Sequence, residues 1–424
     1  MSTIVVFALL LSMWVIKVVS RKREASTGLQ AIALAFIVFS GISGIMSLVR
    51  GYRALDVLND LVPALEIYIA FRLGASISFS SKRVQRCIAI ALQMILARGI
   101  WHLILIFTGQ KLASLEETLP WATVSGLTYV RPIDPLMGLA ASLAFVLYLS
   151  GFHRKLSLAV FAVTSVVCLL GMTRAEWIAT VFCICMGVLF MRGNKARKVV
   201  IAGLAASIAI YMLTLYVPDL AEATETRLIQ HTIEQVSNSD NDEGRLRFLE
   251  YRTALDKFTD APLIGNGVGS NFRTAVFNGY KVKFAVIHNF YLNLLADGGA
   301  LGIVLFCAVV IPAVKLSVTT ARSATSRLEQ ALAMCAMTAL VWWGILISMH
   351  PIYSAYHLTV VIGALYGVML AVRRAASAQA ARSDRLLFAN GSVFLLRNMQ
   401  ATTMCQRVNI ARSSNGNTNT IVAN

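Results

Sequence analysis

Apolar runs of about 20 residues recur along the whole chain, at roughly 3–20, 29–49, 61–79, 87–107, 134–151, 156–173, 175–191, 198–217, 299–318, 329–349 and 355–372. A run of about 20 apolar residues is the length an α-helix needs to cross the hydrocarbon core of a bilayer. Inside lipid every backbone N–H and C=O must be satisfied within the segment, so such runs fold as helices. Barrel strands are shorter and alternate in polarity, which excludes a β-barrel. The reading is an all-α, polytopic transmembrane bundle of about 11–12 spans. Composition agrees: 57% of residues are hydrophobic and 14% charged, against about 25% charged in soluble domains. Arg21-Lys22-Arg23 follows the first run. That run therefore reads as a retained helix, not a cleaved signal.

The net charge of +17 raises the question of nucleic acid. Its placement answers it. Basic clusters fall at every second connection: 21–23, Lys82/Arg83/Arg86, Arg154/Lys155, 192–198, 315–327 and the tail from Arg373. Cytoplasmic loops are the ones enriched in Lys and Arg, so the charge reports orientation. No nucleic-acid partner is implied. The other side receives 50–60, 108–133, the turn before Arg174, the long segment 218–287 and His350–Tyr356. The long segment carries 8 basic and 10 acidic residues and is expected to be extracytoplasmic. Four regions follow: an N-terminal bundle over 1–217, a loop with short helices over 218–298, C-terminal spans over 299–374, and a mobile cytoplasmic tail over 375–424. Residues 288–298 are amphipathic and end in Asp297-Gly298-Gly299, which predicts a short helix at the interface before the next span.

Charges inside spans usually face the bundle interior. Lys17 sits near a helix end. Glu66 and Arg98 lie on neighbouring spans and are expected to pair; the alternative for Arg98 is the floor of a lipid-phosphate cavity. Cys183-Ile184-Cys185 reads as ordinary core cysteine, because structural zinc needs four ligands. No cysteine falls in the long segment, so no structural disulfide is expected.

Candidate chemistry lies at the edges of that segment. Arg174 begins a helix after a tight turn. A guanidinium grips phosphate oxygens with two parallel hydrogen bonds, and a helix N-terminus favours an anion. Its bland alternative is an interface arginine beside Glu176. Arg245, Arg247 and Arg252 follow in a helical run, where Arg245 and Arg252 share a face and Arg247 points elsewhere. The bland alternative is a solvated face balanced by Glu243, Glu250 and Asp256. His288 sits where the chain re-enters apolar surroundings. An unperturbed imidazole titrates near about 6.5 and serves as a general base; His231, His350 and His357 compete for the role. Gly265-Asn266-Gly267-Val268-Gly269 reads as a turn. As a nucleotide loop it lacks the preceding strand and the following Lys-Ser/Thr. No cluster has metal-ligand spacing, and no cofactor is implied.

Three stretches in this order resemble the O-antigen ligase family: Thr173-Arg174-Ala175-Glu176; Gly244-Arg245-Leu246 followed by Lys257-Phe258-Thr259-Asp260-Ala261-Pro262-Leu263-Ile264-Gly265-Asn266-Gly267; and His288-Asn289-Phe290-Tyr291-Leu292, closed by Asp297-Gly298-Gly299-Ala300-Leu301-Gly302. The resemblance covers about 130 residues. It implies a GT-C-like glycosyltransferase of the bacterial inner membrane. Polysaccharide would pass from undecaprenyl diphosphate to a sugar hydroxyl of lipid A–core oligosaccharide on the periplasmic face, without a metal or nucleotide sugar. Arg174 and Arg245 would hold the diphosphate. His288 would orient or deprotonate the acceptor, with Arg247, Arg252 and Arg98 as secondary candidates. The family has about twelve spans and a cytoplasmic N-terminus, whereas eleven runs place the N-terminus outside. Asp297 stands where relatives carry an acidic residue and is expected to pack at a helix end. The rival readings are an O-antigen polymerase with the same donor and, from another class, a membrane transporter.

Overall fold

A computed structural model of the chain describes residues 28–76, 81–108, 116–124, 127–132, 134–170, 174–190, 242–269, 274–277, 280–283, 287–349, 358–375 and 377–378. Contacts divide the chain at Ala371, and the fold below belongs to residues up to that point. In order come α1 (Gly28–Val49), α2 (Ala54–Ser76), α3 (Ser81–Thr108), a hairpin of β1 (Glu116–Val124) and β2 (Leu127–Pro132), α4 (Pro135–Leu149), α5 (Arg154–Leu170) and α6 (Arg174–Phe190). Then come α7 (Asp242–Asp260), a hairpin of β3 (Thr274–Phe277) and β4 (Tyr280–Lys283), α8 (Phe290–Ser323), α9 (Arg327–Ile347) and α10 (Leu358–Ala375).

The protein is an α-helical bundle. Each apolar run that falls in the described residues has become a helix; the runs at 3–20 and 198–217 lie outside them. Four of the described helices are long and apolar enough to cross a membrane, α3, α8, α9 and α10, and three shorter apolar ones lie in α1, α4 and α6. Exposed apolar residues recur in stripes, Leu34, Val38, Ile42 and Ile45 on α1 and Ile90, Met94, Trp101 and Ile104 on α3. Such stripes are what a lipid-facing surface presents.

The centre of the bundle is α9, which packs on α4, α6 and α8. Its alanines Ala331, Ala333, Ala336 and Ala339 are fully buried. Small residues let helix backbones approach closely, which substitutes for the hydrophobic effect where the solvent is lipid. One polar chain ties three helices: Trp342 Nε1 donates to Thr180 Oγ1 at 3.1 Å, and Thr180 donates to the carbonyl of Gly138 at 3.3 Å. Gly74 of α2 meets Gly367 of α10 with its would-be Cβ 3.0 Å from the Gly367 Cα, a seam that only glycine permits.

One expectation is corrected. Glu66 and Arg98 do not pair. Thr359 of α10 donates to Glu66 at 2.8 Å, while Arg98 Nε donates to Asp134 at 2.6 Å. Hydropathy placed them on adjacent spans but could not say which faces meet. In the loops, short antiparallel hairpins accompany the helices. Strands of four residues such as β3 and β4 are too brief to show a period in the sequence.

Candidate active site

Helix α7 presents one buried face. Glu250 and Ala254, one turn apart, are only 5% and 1% exposed. Ala254 packs with Ile287 and Ala296, joined by Tyr251 and Leu292, so α7 lies against the start of α8. The chain enters α8 through Ile287-His288-Asn289. Asn289 caps the helix, its side chain accepting from the Leu292 N–H at 3.1 Å. A capped helix start fixes the residue before it.

That residue is His288. Its backbone N–H donates to Glu250 Oε2 at 3.2 Å. Its ring Nδ1 lies 3.0 Å from Glu250 Oε2 and 3.2 Å from Oε1. The Glu250 side chain is 6% exposed and that of His288 40%. Among the described residues Nε2 has no hydrogen-bond partner. The pair thus has one buried end and one open end.

The glycine-rich stretch is a turn, with Gly265, Gly267 and Gly269 all at positive φ. It docks into α8 at a kink at Gly299, where φ is 61° and ψ −163°. The hydrogen bonding explains the kink. In a regular helix Ala300 and Leu301 would donate to the carbonyls four residues back. Instead Ala300 N donates to Pro262 O at 2.8 Å and Leu301 N to Leu263 O at 3.0 Å. The carbonyls they leave, of Ala296 and Asp297, accept from Asn266 N at 3.0 Å and Gly267 N at 2.9 Å. The amphipathic stretch 290–298 is therefore a separate helical segment ahead of the span. The turn also touches the first two helices: Val268 N donates to Ser43, and Gly269 N to Asp60, each at 3.1 Å.

Below this turn lies an apolar cavity between α1, α2, α8, α9 and α10. Phe36, Phe71, Phe290, Phe306 and Trp343 line it, and its polar edge is Asp60, Asn293 and Asp297. Asp297 is buried and accepts from Asn293 Nδ2 at 2.8 Å, consistent with a packing role.

Arg174 opens α6, and the direction of α6 places it. Thr180 meets Trp342 and Cys183 meets the Thr338 carbonyl, so α6 runs antiparallel to α9. Tyr291 donates to the carbonyl of Gly344 at 3.0 Å, so α8 starts where α9 ends. The first residue of α6 and His288 consequently lie at the same end of the bundle. The Asp134 cap of α4 and the turn between α1 and α2 lie there too, the latter through Arg50, which donates to the carbonyl of Asn266.

The guanidinium groups of Arg174, Arg245 and Arg247 lie outside the described atoms. Their helical positions are described. Arg245 and Arg247 fall in the opening turns of α7. Arg247 is three residues before Glu250 and seven before Ala254, the spacing of one helix face. Arg252, which shares the Arg245 side, is exposed. Arg98 belongs to another cluster: Asp134, 4% exposed, binds Arg98 and His102 Nε2, the latter at 3.0 Å. His231, His350 and His357 lie outside the described residues. Cys183 is buried and Cys185 exposed.

The residue that sequence reasoning misses is Glu250, which enters there only in the bland alternative of a solvated face balancing the arginines. It is buried against His288. The signal was present in its i+4 spacing to Ala254 and in Tyr251 beside it.

A bundle of apolar helices, with a histidine–carboxylate pair at the start of α8 and an apolar cavity lined by Phe290 two residues further on, defines a polytopic membrane protein with a candidate active site at one end. Residues 158–307 match the sequence model of the O-antigen ligase family. The match spans Arg174, α7, the glycine turn and His288. The family supports an activity of the ligase or polymerase type. A search of curated proteins finds no match.

Proposed function

We propose that this protein is an O-antigen ligase of the bacterial inner membrane. It transfers polysaccharide from undecaprenyl diphosphate to a sugar hydroxyl of lipid A–core oligosaccharide on the periplasmic face. His288, held on Glu250 at the start of the helix whose Phe290 lines an apolar cavity, is the observation that carries the reading. The acceptor hydroxyl attacks the anomeric carbon of the donor sugar while His288 takes its proton. The polyprenyl diphosphate leaves, already a good leaving group, so no nucleotide is required. A positioned base contributes about 10²–10⁴-fold.

Arg174 and the arginines opening α7 are assigned to the departing diphosphate. Growing negative charge there is offset by guanidinium groups, an effect that typically amounts to several kcal/mol. The N-termini of α6 and α7 add backbone N–H groups that favour an anion. Inversion at the anomeric carbon is the simplest outcome, since no carboxylate is assigned as nucleophile. The donor's lipid tail needs an apolar channel within reach of the bilayer, and the cavity between α1, α2 and α8 is suited to it.

The test is transfer by purified protein from undecaprenyl diphosphate-linked glycan to lipid A–core, with EDTA present. Full-length glycan on core confirms the ligase. Growth of the lipid-linked glycan instead, with deletion cells left with single-repeat caps, identifies a polymerase. Movement of the donor across vesicles without any transfer identifies a transporter.

A further inference from the structure

We propose that Glu250 is a positioning residue for His288: it keeps the ring hydrogen on Nδ1 and so leaves Nε2, on the exposed side, as the proton acceptor. The inference rests on the reading of His288 as the base.

Glu250 Oε2 already accepts the His288 backbone N–H at 3.2 Å. The ring Nδ1 meets both carboxyl oxygens, at 3.0 and 3.2 Å. An ionised carboxylate has acceptors only, so its partner nitrogen must carry the hydrogen. A neutral imidazole with hydrogen on Nδ1 has its lone pair on Nε2. The other tautomer would set a lone pair against the oxygens of a nearly buried carboxylate.

Burial decides why the contact holds. The Glu250 side chain is 6% exposed. A buried carboxylate without partners is expensive, so it is retained only where hydrogen bonds satisfy it. Both bonds available to it here come from one residue, its backbone and its ring. They fix the ring as well as the tautomer, because the backbone bond anchors the position from which the side chain extends. The Asn289 cap one residue later fixes the start of the helix that follows.

Other groups near the ring are engaged elsewhere. Tyr251 packs beside Ile287 and Ala254, and the Tyr291 hydroxyl donates to the Gly344 carbonyl. Among the described residues only Glu250 hydrogen-bonds the ring.

The test uses the full-length protein in detergent or nanodiscs, with Glu250→Gln, Glu250→Asp and His288→Ala variants. Glutamine keeps the shape but offers an N–H to Nδ1 and so permits the wrong tautomer. The expected result is a fall in kcat for Glu250→Gln approaching that of His288→Ala, with the KM for donor little changed. Glu250→Asp recovers part of the rate, and Glu250→Gln adds no further loss in the His288→Ala background. A second readout does not depend on transfer. Diethyl pyrocarbonate acylates a neutral imidazole at its free nitrogen, and peptide mapping follows the His288 peptide. Its modification slows in Glu250→Gln.

Unchanged modification kinetics together with full transfer by Glu250→Gln overturns the proposal. Slowed modification in a protein whose His288→Ala variant still transfers normally keeps the positioning role and removes His288 as base instead. A loss in Glu250→Gln that accompanies a lowered thermal midpoint, with modification rate unchanged, makes Glu250 structural and likewise overturns it.

Discussion

Asn266 and Ala296, 30 residues apart in the chain, are joined by two hydrogen bonds: the Asn266 backbone N–H and its side-chain Nδ2 both donate to the Ala296 carbonyl, each at 3.0 Å. The same Nδ2 reaches the Lys257 carbonyl at 2.7 Å, near the end of α7. One side chain therefore satisfies an orphaned carbonyl of a helix end and another of a helix kink. In doing so it sets α7 against α8, and with them Glu250 against His288.

Asn266→Ala should leave the Lys257 carbonyl without its donor, while the Ala296 carbonyl keeps the backbone N–H of residue 266. A buried polar group left unsatisfied costs about 1–3 kcal/mol. A lowered thermal midpoint in detergent, with transfer falling in parallel, is the expected result. A midpoint equal to wild type would remove Asn266 from this bridging role.

Gly299→Ala is predicted to be worse. The residue sits at φ 61°, and a Cβ there would lie 2.6 Å from the Leu263 carbonyl carbon. A non-glycine residue in such a conformation costs of order 1–3 kcal/mol, and the clash is with backbone that cannot rotate away. The glycine turn must lift off α8. Protease sensitivity within 257–269, compared between variant and wild type, checks this.

His288→Ala should insert and express as wild type yet lose transfer by about 10²–10⁴-fold, the usual contribution of a positioned base. Ligation at the wild-type rate by the purified variant removes the imidazole from the chemistry.

Arg174→Ala and Arg174→Lys should both be poor ligases. Lysine keeps the charge but cannot supply the two-pronged contact to a diphosphate. The measurement is donor KM and kcat for both variants. Full activity of the lysine variant would reduce the role of Arg174 to that of a point charge.

The two arginines opening α7 should separate. Arg247 lies on the Glu250–Ala254 face of the helix, while Arg245 lies with exposed Arg252. Transfer by Arg247→Ala is therefore expected to fall further than by Arg245→Ala. The reverse order in the in vitro assay would return the diphosphate contact to Arg245, the residue favoured by motif alone.

Much of the architecture was legible in the order of residues because lipid leaves the backbone few options. Runs such as 29–49, 134–151 and 329–349 had to be helices, and α1, α4 and α9 occupy nearly those limits. Asp297-Gly298-Gly299 announced a break, and the break is there. Glycines at 265, 267 and 269 announced a turn for the same reason, since they reach positive φ without strain.

What a string of residues cannot carry is which faces meet. Glu66 and Arg98 looked like partners because both are charges in apolar runs; packing gave one to Thr359 and the other to Asp134. Glu250 looked like a solvated counter-ion until α7 was laid along α8 and its carboxyl closed over His288. Helix formation is local, fixed by hydrogen bonds four residues apart and by the apolar solvent around them. Pairing of side chains across 38 positions depends on helix rotation and on one turn bridging two helices, and only the assembled bundle decides those.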